Sequence, residues 1–229
     1  MSIAENIARI QIRIAQACER AGRPPGEVTL IAVSKGQPVA AIEEAARAGL
    51  VLFGESKVQE AKAKIPRCPG ALRWQMIGHL QSNKCRDAVH WFELIQSVDS
   101  LALAEELNRR CEQTARTMPV LVEVNVAAEA SKFGYAPARL LEELSQLNAL
   151  SRLAIHGLMT IAPYATVPDN ARPYFRSLRE LKRQCEERLG APLPQLSMGM
   201  SGDFEVAIEE GATLVRVGTA LFGERQRAG

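Results

Sequence analysis

The sequence predicts an α/β fold: a single (β/α)₈ TIM barrel over residues 1–229, with an extra helix before the first strand. Eight short apolar segments alternate along the chain with longer amphipathic ones, which is the order expected of repeated strand–helix units. The apolar segments show little alternation of apolar and polar residues, as is typical of parallel strands covered on both faces. The length of 229 residues and the hydrophobic content of 47% suit one barrel.

The predicted strands are short and rich in Val, Ile and Leu. They cover residues 29–34, 50–53, 73–77, 93–96, 119–125, 153–158, 195–198 and 213–217. No linker or change of composition interrupts them, so we expect one domain. The loosest segment, residues 163–173, is predicted to be a loop after the sixth strand.

The predicted helices follow from amphipathic periodicity and from residues typical of helix ends. Gly49 and Gly190 each follow a helix, and Asp99-Ser100 precedes another as an N-terminal cap. Gly22 ends the additional helix at the N-terminus. The longer helices are predicted over residues 2–21, 39–48, 101–116, 137–149, 171–189 and 203–210.

The composition excludes several classes of protein. The chain has 28 basic and 26 acidic residues, and a net charge of +2 gives no general attraction for nucleic acid. Its five cysteines include no CxxC pair, which favours reduced thiols over a disulfide framework. No segment approaches the roughly 18 apolar residues of a membrane helix, and the first 14 residues lack the apolar core of a signal peptide. We therefore expect a cytoplasmic protein.

The first candidate functional residue is Lys35, at the end of the first predicted strand. Because side chains alternate along a strand, Lys35 shares a face with Ile31 and Val33, which suit the interior of a barrel. Active sites of such barrels lie at the carboxyl ends of the strands. The position therefore suits a nucleophilic amine at the barrel mouth, although a surface lysine would fit the same pattern.

The second candidate is Arg216, inside the last predicted strand. It shares a face with Gly218, whereas Val215 and Val217 lie on the opposite face. An arginine in an apolar strand is costly unless it meets an anion or another acceptor. Two interpretations stay open: an inward arginine that faces a ligand, and an outward one that pairs with a carboxylate of a flanking helix.

The third candidate is a pair of loops after the seventh and eighth strands. Ser201 and Gly202 precede the helix predicted over residues 203–210, and Gly218 and Thr219 follow the eighth strand. Loops at these two places commonly hold a phosphate group in barrels of this kind, through backbone N–H groups. Ordinary glycine-serine turns would have the same composition.

The three candidates become more specific in combination. The first and eighth strands are neighbours in a closed barrel, so Lys35 should lie beside Arg216 and the two loops. The group would offer an amine for an aldehyde, a cradle for a phosphate and an arginine for a ring nitrogen. A protein that holds pyridoxal 5′-phosphate (PLP) needs these features.

The sequence also resembles the pyridoxal phosphate homeostasis protein family over nearly its whole length. The matching motifs are Ala32-Val-Ser-Lys35, Phe53-Gly-Glu55, Val58-Gln-Glu60, Ile77-Gly-His-Leu-Gln-Ser-Asn-Lys84, Ser131-Lys-Phe-Gly134, Gly157-Leu-Met159, Ser197-Met-Gly-Met-Ser201 and Arg216-Val-Gly-Thr-Ala-Leu-Phe-Gly223. The resemblance implies a monomeric barrel related to the N-terminal domain of alanine racemase. It also implies a role in the intracellular balance of PLP and amino acids, with no established turnover.

The resemblance assigns a role to each candidate residue. It makes Lys35 the residue that carries PLP as a Schiff base, and Arg216 the residue that faces the pyridine nitrogen. The phosphate cradle then consists of Ser201, Gly202, Gly218 and Thr219. One departure occurs on the second strand, where this chain has Gly54-Glu55-Ser56-Lys57 and the family usually has Gly-Glu-Asn-Tyr. The side-chain contact of that Asn and the packing of that Tyr are therefore not predicted here.

The main alternative is a PLP-dependent amino-acid racemase, which needs two bases on opposite faces of its substrate. Lys35 could be one base. In alanine racemases the other is a tyrosine from a separate C-terminal domain, which we do not expect here because the sequence ends at Gly229. Tyr164 is the residue that could replace it. Arg216 argues against strong carbanion chemistry, because it disfavours protonation of the ring nitrogen. We therefore predict PLP binding without efficient turnover, and no catalytic residues.

The other alternative is a binding module. One helical face carries Arg172, Arg176, Arg179 and Arg183 at spacings of four, three and four residues. This row could dock an acidic partner, or it could be a solvated face balanced by Glu180, Glu186 and Glu187. The three histidines lack the spacing of metal ligands, so no metal is predicted. The expected partners are PLP and PLP-dependent apo-enzymes, and neither nucleic acid nor a membrane.

Overall fold

The protein, as seen in a computed structural model that describes residues 2–129 and 131–223, is built around a closed barrel of eight parallel strands. The strands follow one another around the barrel in sequence order, and the first pairs with the eighth. The predicted fold class is therefore confirmed. The single-domain prediction covers residues 1–229, of which 1, 130 and 224–229 lie outside the described residues.

Each predicted strand overlaps an observed one. The strands are β1 (Thr29–Val33), β2 (Leu52–Glu55), β3 (Arg73–Met76), β4 (Leu94–Val98), β5 (Met118–Glu123), β6 (Leu153–Met159), β7 (Gln195–Ser197) and β8 (Leu214–Val217). The prediction is wrong by two residues for β2, which includes Gly54 and Glu55. The apolar pattern stops at Phe53, but the strand continues because the buried Glu55 carboxylate is paired with Lys64.

Nine α-helices lie in the described part of the chain. They are α1 (Ile3–Arg20), α2 (Val39–Arg47), α3 (Val58–Lys64), α4 (Cys85–Trp91), α5 (Leu101–Gln113), α6 (Pro137–Asn148), α7 (Arg172–Leu189), α8 (Phe204–Glu209) and α9 (Thr219–Phe222). The predicted helix over residues 101–116 is too long, because Ala115 adopts a φ of 51° and ends it. Among these helices, none is both long and apolar enough to cross a membrane.

The N-terminal helix α1 packs against the two helices that follow β7 and β8, namely α8 and α9. Arg13 pairs with Glu205 of α8 at 2.7 Å, and the Asn6 side-chain amide donates to the Leu221 carbonyl of α9 at 2.9 Å. The extra helix predicted from the sequence is therefore present, and it supports the part of the barrel that carries the candidate phosphate loops.

The arginine row on α7 is exposed at Arg176, Arg179 and Arg183, but most of its members are also paired with a carboxylate outside their own helix. Three of its members contact one buried carboxylate, that of Glu210, at N–O distances of 3.2 Å for Arg172 and 3.0 Å for Arg176 and Arg179. Only Arg183 pairs with glutamates of its own helix. The row joins α7 to the residue that follows α8, because a buried carboxylate needs cationic partners.

The interior of the barrel has an apolar layer with polar side chains above it. The apolar layer consists of Ile31, Leu52, Leu94, Leu121, Met159 and Leu214. Two residues farther along three of these strands, and so on the same face, are the buried Gln96, Glu123 and Arg216. This polar layer lies at the carboxyl ends of the strands.

Glu123 is the carboxyl group that the barrel perturbs most clearly. Burial, and then the charge of Asp99, raises the pKa of Glu123 to about 7, although the positive charge of Arg216 opposes the shift. Among the described residues, its Oε2 atom has no hydrogen-bond partner. The folded protein therefore favours a protonated Glu123 well above the usual range of a carboxyl group.

This shift predicts how stability depends on pH. Between about pH 4.5 and pH 7 the folded protein holds a proton on Glu123 that the unfolded chain has released, so stability falls as the pH rises. Glu123→Gln should abolish this loss. Between pH 5 and pH 8, the free energy of unfolding of the variant should therefore rise by about 2–3 kcal/mol relative to that of the wild type. Urea unfolding at both pH values measures the difference, with Glu105→Gln on the exposed face of α5 as control. Equal pH dependence in wild type and Glu123→Gln would contradict the prediction.

Candidate functional site

A cavity of about 460 Å³ opens at the carboxyl ends of the strands. Its volume lies within the range of about 300–1,000 Å³ that small-molecule sites occupy. All of the predicted site residues line it: Lys35, Ser201, Gly202, Arg216, Gly218 and Thr219. The structure therefore brings together residues from opposite ends of the sequence.

Lys35 lies in the turn after β1, two residues beyond the end of the strand instead of at its last position. The strand pairing continues for one residue, since the Ser34 N–H donates to the Gly54 carbonyl at 3.0 Å. Gly36, with a φ of 73°, then turns the chain away. The predicted inward face is correct: Ile31 belongs to the interior layer, and Val33 and the half-buried Lys35 line the cavity.

Arg216 points into the barrel and is only 4% exposed. Its guanidinium donates to the Thr160 carbonyl at 2.8 Å and to the Ser197 hydroxyl. Burial lowers the pKa of Arg216 to about 10, against the opposing charges of Glu123 and Asp203, so the side chain stays positive at neutral pH. Arg216 is therefore inward, as the first interpretation has it, and pairing with a flanking helix is wrong; its contact with a ligand stays a prediction.

A chain of side-chain hydrogen bonds fixes the orientation of Arg216. The Ser197 hydroxyl, which accepts from Arg216, donates to Gln96 Oε1 at 2.5 Å. Gln96 Nε2 in turn donates to Gln75 Oε1 at 2.7 Å. Because each amide and hydroxyl has a defined partner, the guanidinium is held as a donor at the floor of the cavity.

The loops after β7 and β8 meet at Ser201. Its hydroxyl accepts from the N–H groups of Gly218 at 3.3 Å and Ala220 at 3.2 Å. Within residues 2–129 and 131–223, the N–H groups of Ser201, Gly202 and Thr219 donate to no protein acceptor. A Cβ atom on Gly202 would meet nothing within 4 Å. Backbone donors beside open space form a suitable cradle for an anion.

The charges around the cavity also suit an anion. The described residues that line it include three cationic side chains, Lys35, Lys132 and Arg216, and one carboxylate, Asp203. Burial raises the pKa of Asp203, whose carboxylate accepts from the Met200 N–H at 2.6 Å. The positive excess favours a ligand that carries a phosphate.

Several residues of the cavity were not predicted from the sequence. Lys132 lies in the motif Ser131-Lys-Phe-Gly134, which gave a resemblance but no role. Asp203 is the first residue of a predicted helix and Tyr164 a possible second base, and both line the cavity, where the tyrosine is 93% exposed at the rim. Ser56 lines the cavity, so the departure from the usual family pattern occurs at the site itself. Of these positions, the family motifs could have indicated Lys132.

Comparison with known proteins agrees with this architecture. The sequence model of the alanine racemase N-terminal domain matches residues 6–226. The pyridoxal phosphate homeostasis protein of Aquifex aeolicus is 44% identical over 227 residues, which cover 99% of this chain and 100% of that protein.

Solved structures give the same result. PipY of Synechococcus elongatus PCC7942, solved without PLP and with PLP bound, is 42% identical, with TM-scores of 0.87 and 0.85. Both comparisons cover 97% of this chain and 100% of PipY. Alanine racemase of Clostridium difficile is 14% identical, with a TM-score of 0.73 over 96% of this chain and 57% of that enzyme, and shares the fold. The chain therefore belongs to the family of pyridoxal phosphate homeostasis proteins, whose barrel is the alanine racemase N-terminal domain.

Proposed function

We propose that this protein binds PLP in the cavity at the barrel mouth and serves the balance of PLP and amino acids in the cell, without efficient turnover of a substrate. The observation that carries the proposal is the convergence of Lys35, Arg216 and the two glycine-containing loops on one cavity of suitable size. The PLP-bound structure of PipY and the name of the Aquifex protein support it.

The phosphate would bind at the loops after β7 and β8. The N–H groups of Ser201, Gly202 and Thr219 would donate to its oxygens, and the open space at Gly202 would admit it. Gly218 would keep the two loops close, since its own N–H donates to the Ser201 hydroxyl. Backbone donors suit a doubly charged group because they need no reorganisation when it binds.

Arg216 would face the ring nitrogen. Thr160 and Ser197 hold its guanidinium as a hydrogen-bond donor, and a donor pairs only with an unprotonated nitrogen. The positive charge of Arg216 would also disfavour a second positive charge beside it. The ring would therefore withdraw electrons weakly, which disfavours reactions through a carbanion.

Lys35 would attach the cofactor. PLP supplies an aldehyde, to which Lys35 Nζ would add with loss of water, so that a Schiff base links the two. Lys132, the other lysine on the cavity, pairs with the Glu129 carboxylate at 2.7 Å.

A racemase would need a second base held opposite Lys35. Of the three tyrosines in the sequence, Tyr164 lines the cavity, where it is 93% exposed at the rim and so is not enclosed together with Lys35. The open rim instead suits capture and release of the cofactor by a monomer, and PLP-dependent apo-enzymes are the partners that release would serve.

The first prediction from the proposed function concerns the attachment residue. After incubation with PLP and reduction with borohydride, mass spectrometry should find a pyridoxyl group on the peptide that contains Lys35, because this amine faces the cavity. Lys35→Ala should remove the adduct, whereas Lys132→Ala, at the other lysine on the cavity, should keep it. An adduct that persists in full in Lys35→Ala would refute the assignment.

The second prediction concerns the phosphate. Gly202→Ala should leave the stability of the protein unchanged, since the new Cβ meets no protein atom, but should weaken PLP binding because it enters the cradle. Ser201→Ala should weaken binding by about 1.5–3 kcal/mol, because it removes the hydrogen bond that the hydroxyl would donate to a charged phosphate oxygen. Titrations with PLP and with pyridoxal measure both effects, with Gly26→Ala as a control at an open position outside the cavity. Equal affinity of the wild type for PLP and pyridoxal would rule out the phosphate site.

The third prediction concerns turnover. The PLP-loaded protein should exchange the α-hydrogen of L-alanine in deuterated water at a rate near that of free PLP, because Tyr164, the candidate second base, lies exposed at the cavity rim and Arg216 weakens the ring as an electron sink. Mass spectrometry follows the deuterium, and chiral chromatography follows racemisation. Exchange with racemisation at about 1 s⁻¹ or faster, an ordinary enzyme rate, would show that the protein is a racemase.

A further inference from the structure

A buried lysine, Lys64 at the end of α3, lies behind the turn that carries Lys35. Its side chain is 8% exposed, and its ammonium group donates to three acceptors. These are Glu55 Oε1 at 2.7 Å, Glu60 Oε1 at 2.7 Å and the Ser34 carbonyl at 2.8 Å. Since an ammonium group has three N–H donors, Lys64 is saturated by these contacts.

The two carboxylates that Lys64 joins hold the residues on either side of Lys35. Glu55 Oε1 also accepts from the Ser34 hydroxyl at 2.7 Å, and Glu60 Oε1 accepts from the Gly36 N–H at 2.6 Å. The residue before Lys35 is thus held through its carbonyl and its hydroxyl, and the residue after it through its N–H. These contacts fix the backbone at both ends of a one-residue segment.

Stability alone is a poor explanation of this arrangement. Glu55 is fully buried, burial raises its pKa, and in the part of the chain described here its Oε2 atom has no hydrogen-bond partner. Buried ion pairs of this kind often contribute little net stability, because desolvation offsets their attraction. Within the described residues, the charged groups of these three side chains contact the backbone at two places, the Ser34 carbonyl and the Gly36 N–H. Both lie next to Lys35.

We propose that Glu55, Glu60 and Lys64 form a positioning cluster that holds the turn of Lys35 so that its amine is presented to the aldehyde of PLP. The proposal rests on the proposed function. The three residues do not line the cavity, so they act through the backbone of Ser34 and Gly36 and do not touch the ligand. A lysine side chain is long and flexible, and fixing its backbone reduces the conformations in which its amine misses the aldehyde.

Glu60 allows the most direct test, because it lies at the edge of the cluster with 28% of its side chain exposed. Glu60→Ala removes the acceptor of the Gly36 N–H and leaves the Lys64–Glu55 pair in place. Glu60→Gln keeps an oxygen that can accept from Gly36 and Lys64. Lys62→Ala is a matched control on the same helix, since Lys62 pairs with Asp87 and not with the turn.

The experiment separates attachment at Lys35 from binding of the phosphate. Attachment is followed by stopped-flow absorbance with PLP, and the adduct is assigned by borohydride reduction and mass spectrometry. Binding is measured by titration with pyridoxine 5′-phosphate, which has an alcohol in place of the aldehyde. Glu60→Ala should slow attachment by about 10- to 100-fold, the order expected when a reacting group is misplaced by about 1 Å. Its affinity for pyridoxine 5′-phosphate should stay within about twofold of wild type, and Glu60→Gln and Lys62→Ala should attach PLP at the wild-type rate.

Each other outcome has a distinct meaning. If the wild type forms no adduct at Lys35, the proposed function fails. If the wild type attaches PLP at Lys35 and Glu60→Ala does so at the same rate, the positioning cluster is overturned and the proposed function stands. Equal losses of attachment rate and of pyridoxine 5′-phosphate affinity, or an equally slow Glu60→Gln, would also overturn the cluster.

Discussion

The pairing of β1 with β8 is the constraint on which the site depends. It closes the barrel in a register that sets Ile31 beside Arg216 and Ala32 beside Val217, and it brings residues from the two ends of the chain to one cavity. A shift of this register by one residue would turn Arg216 out of the barrel, because side chains alternate along a strand. Helix α1 supports the closure from outside through its contacts with α8 and α9. These are the helices into which the loops after β7 and β8 lead.

The polar layer of the barrel follows from the need to keep Arg216 buried and charged. A guanidinium inside a protein requires acceptors, and it has them in the Thr160 carbonyl and the Ser197 hydroxyl, with Gln96 orienting the latter. Glu123 lies in the same layer, and its pKa is raised mainly because the carboxyl group is buried away from water. The apolar layer below gives the barrel its packing, and the polar layer gives the cavity a floor with a fixed donor.

The number of strands, and the position of the six candidate residues on one cavity, could be predicted because both depend on local signals: apolar segments, a lysine after one of them, and small residues after two others. The continuation of β2 could not be predicted, since Glu55 breaks the apolar pattern and its partner Lys64 is supplied by the next helix. The partners of the α7 arginines were missed for a similar reason, as Glu210 lies 31 to 38 residues away in sequence. Helices α3 and α4, with seven residues each, are too short to show a periodicity.

The two sides of the cavity differ in how firmly they are held. On one side, hydrogen bonds hold the turn of Lys35, the guanidinium of Arg216 and the loops after β7 and β8. On the other, the loop after β6 carries Tyr164 and Val167, which are 93% and 53% exposed. The groups that we propose to bind the phosphate and the ring nitrogen lie on the firm side. The exposed side gives a ligand a way in and out without disturbing them, and this division suits a protein that holds a cofactor reversibly better than one that must enclose a reacting carbanion.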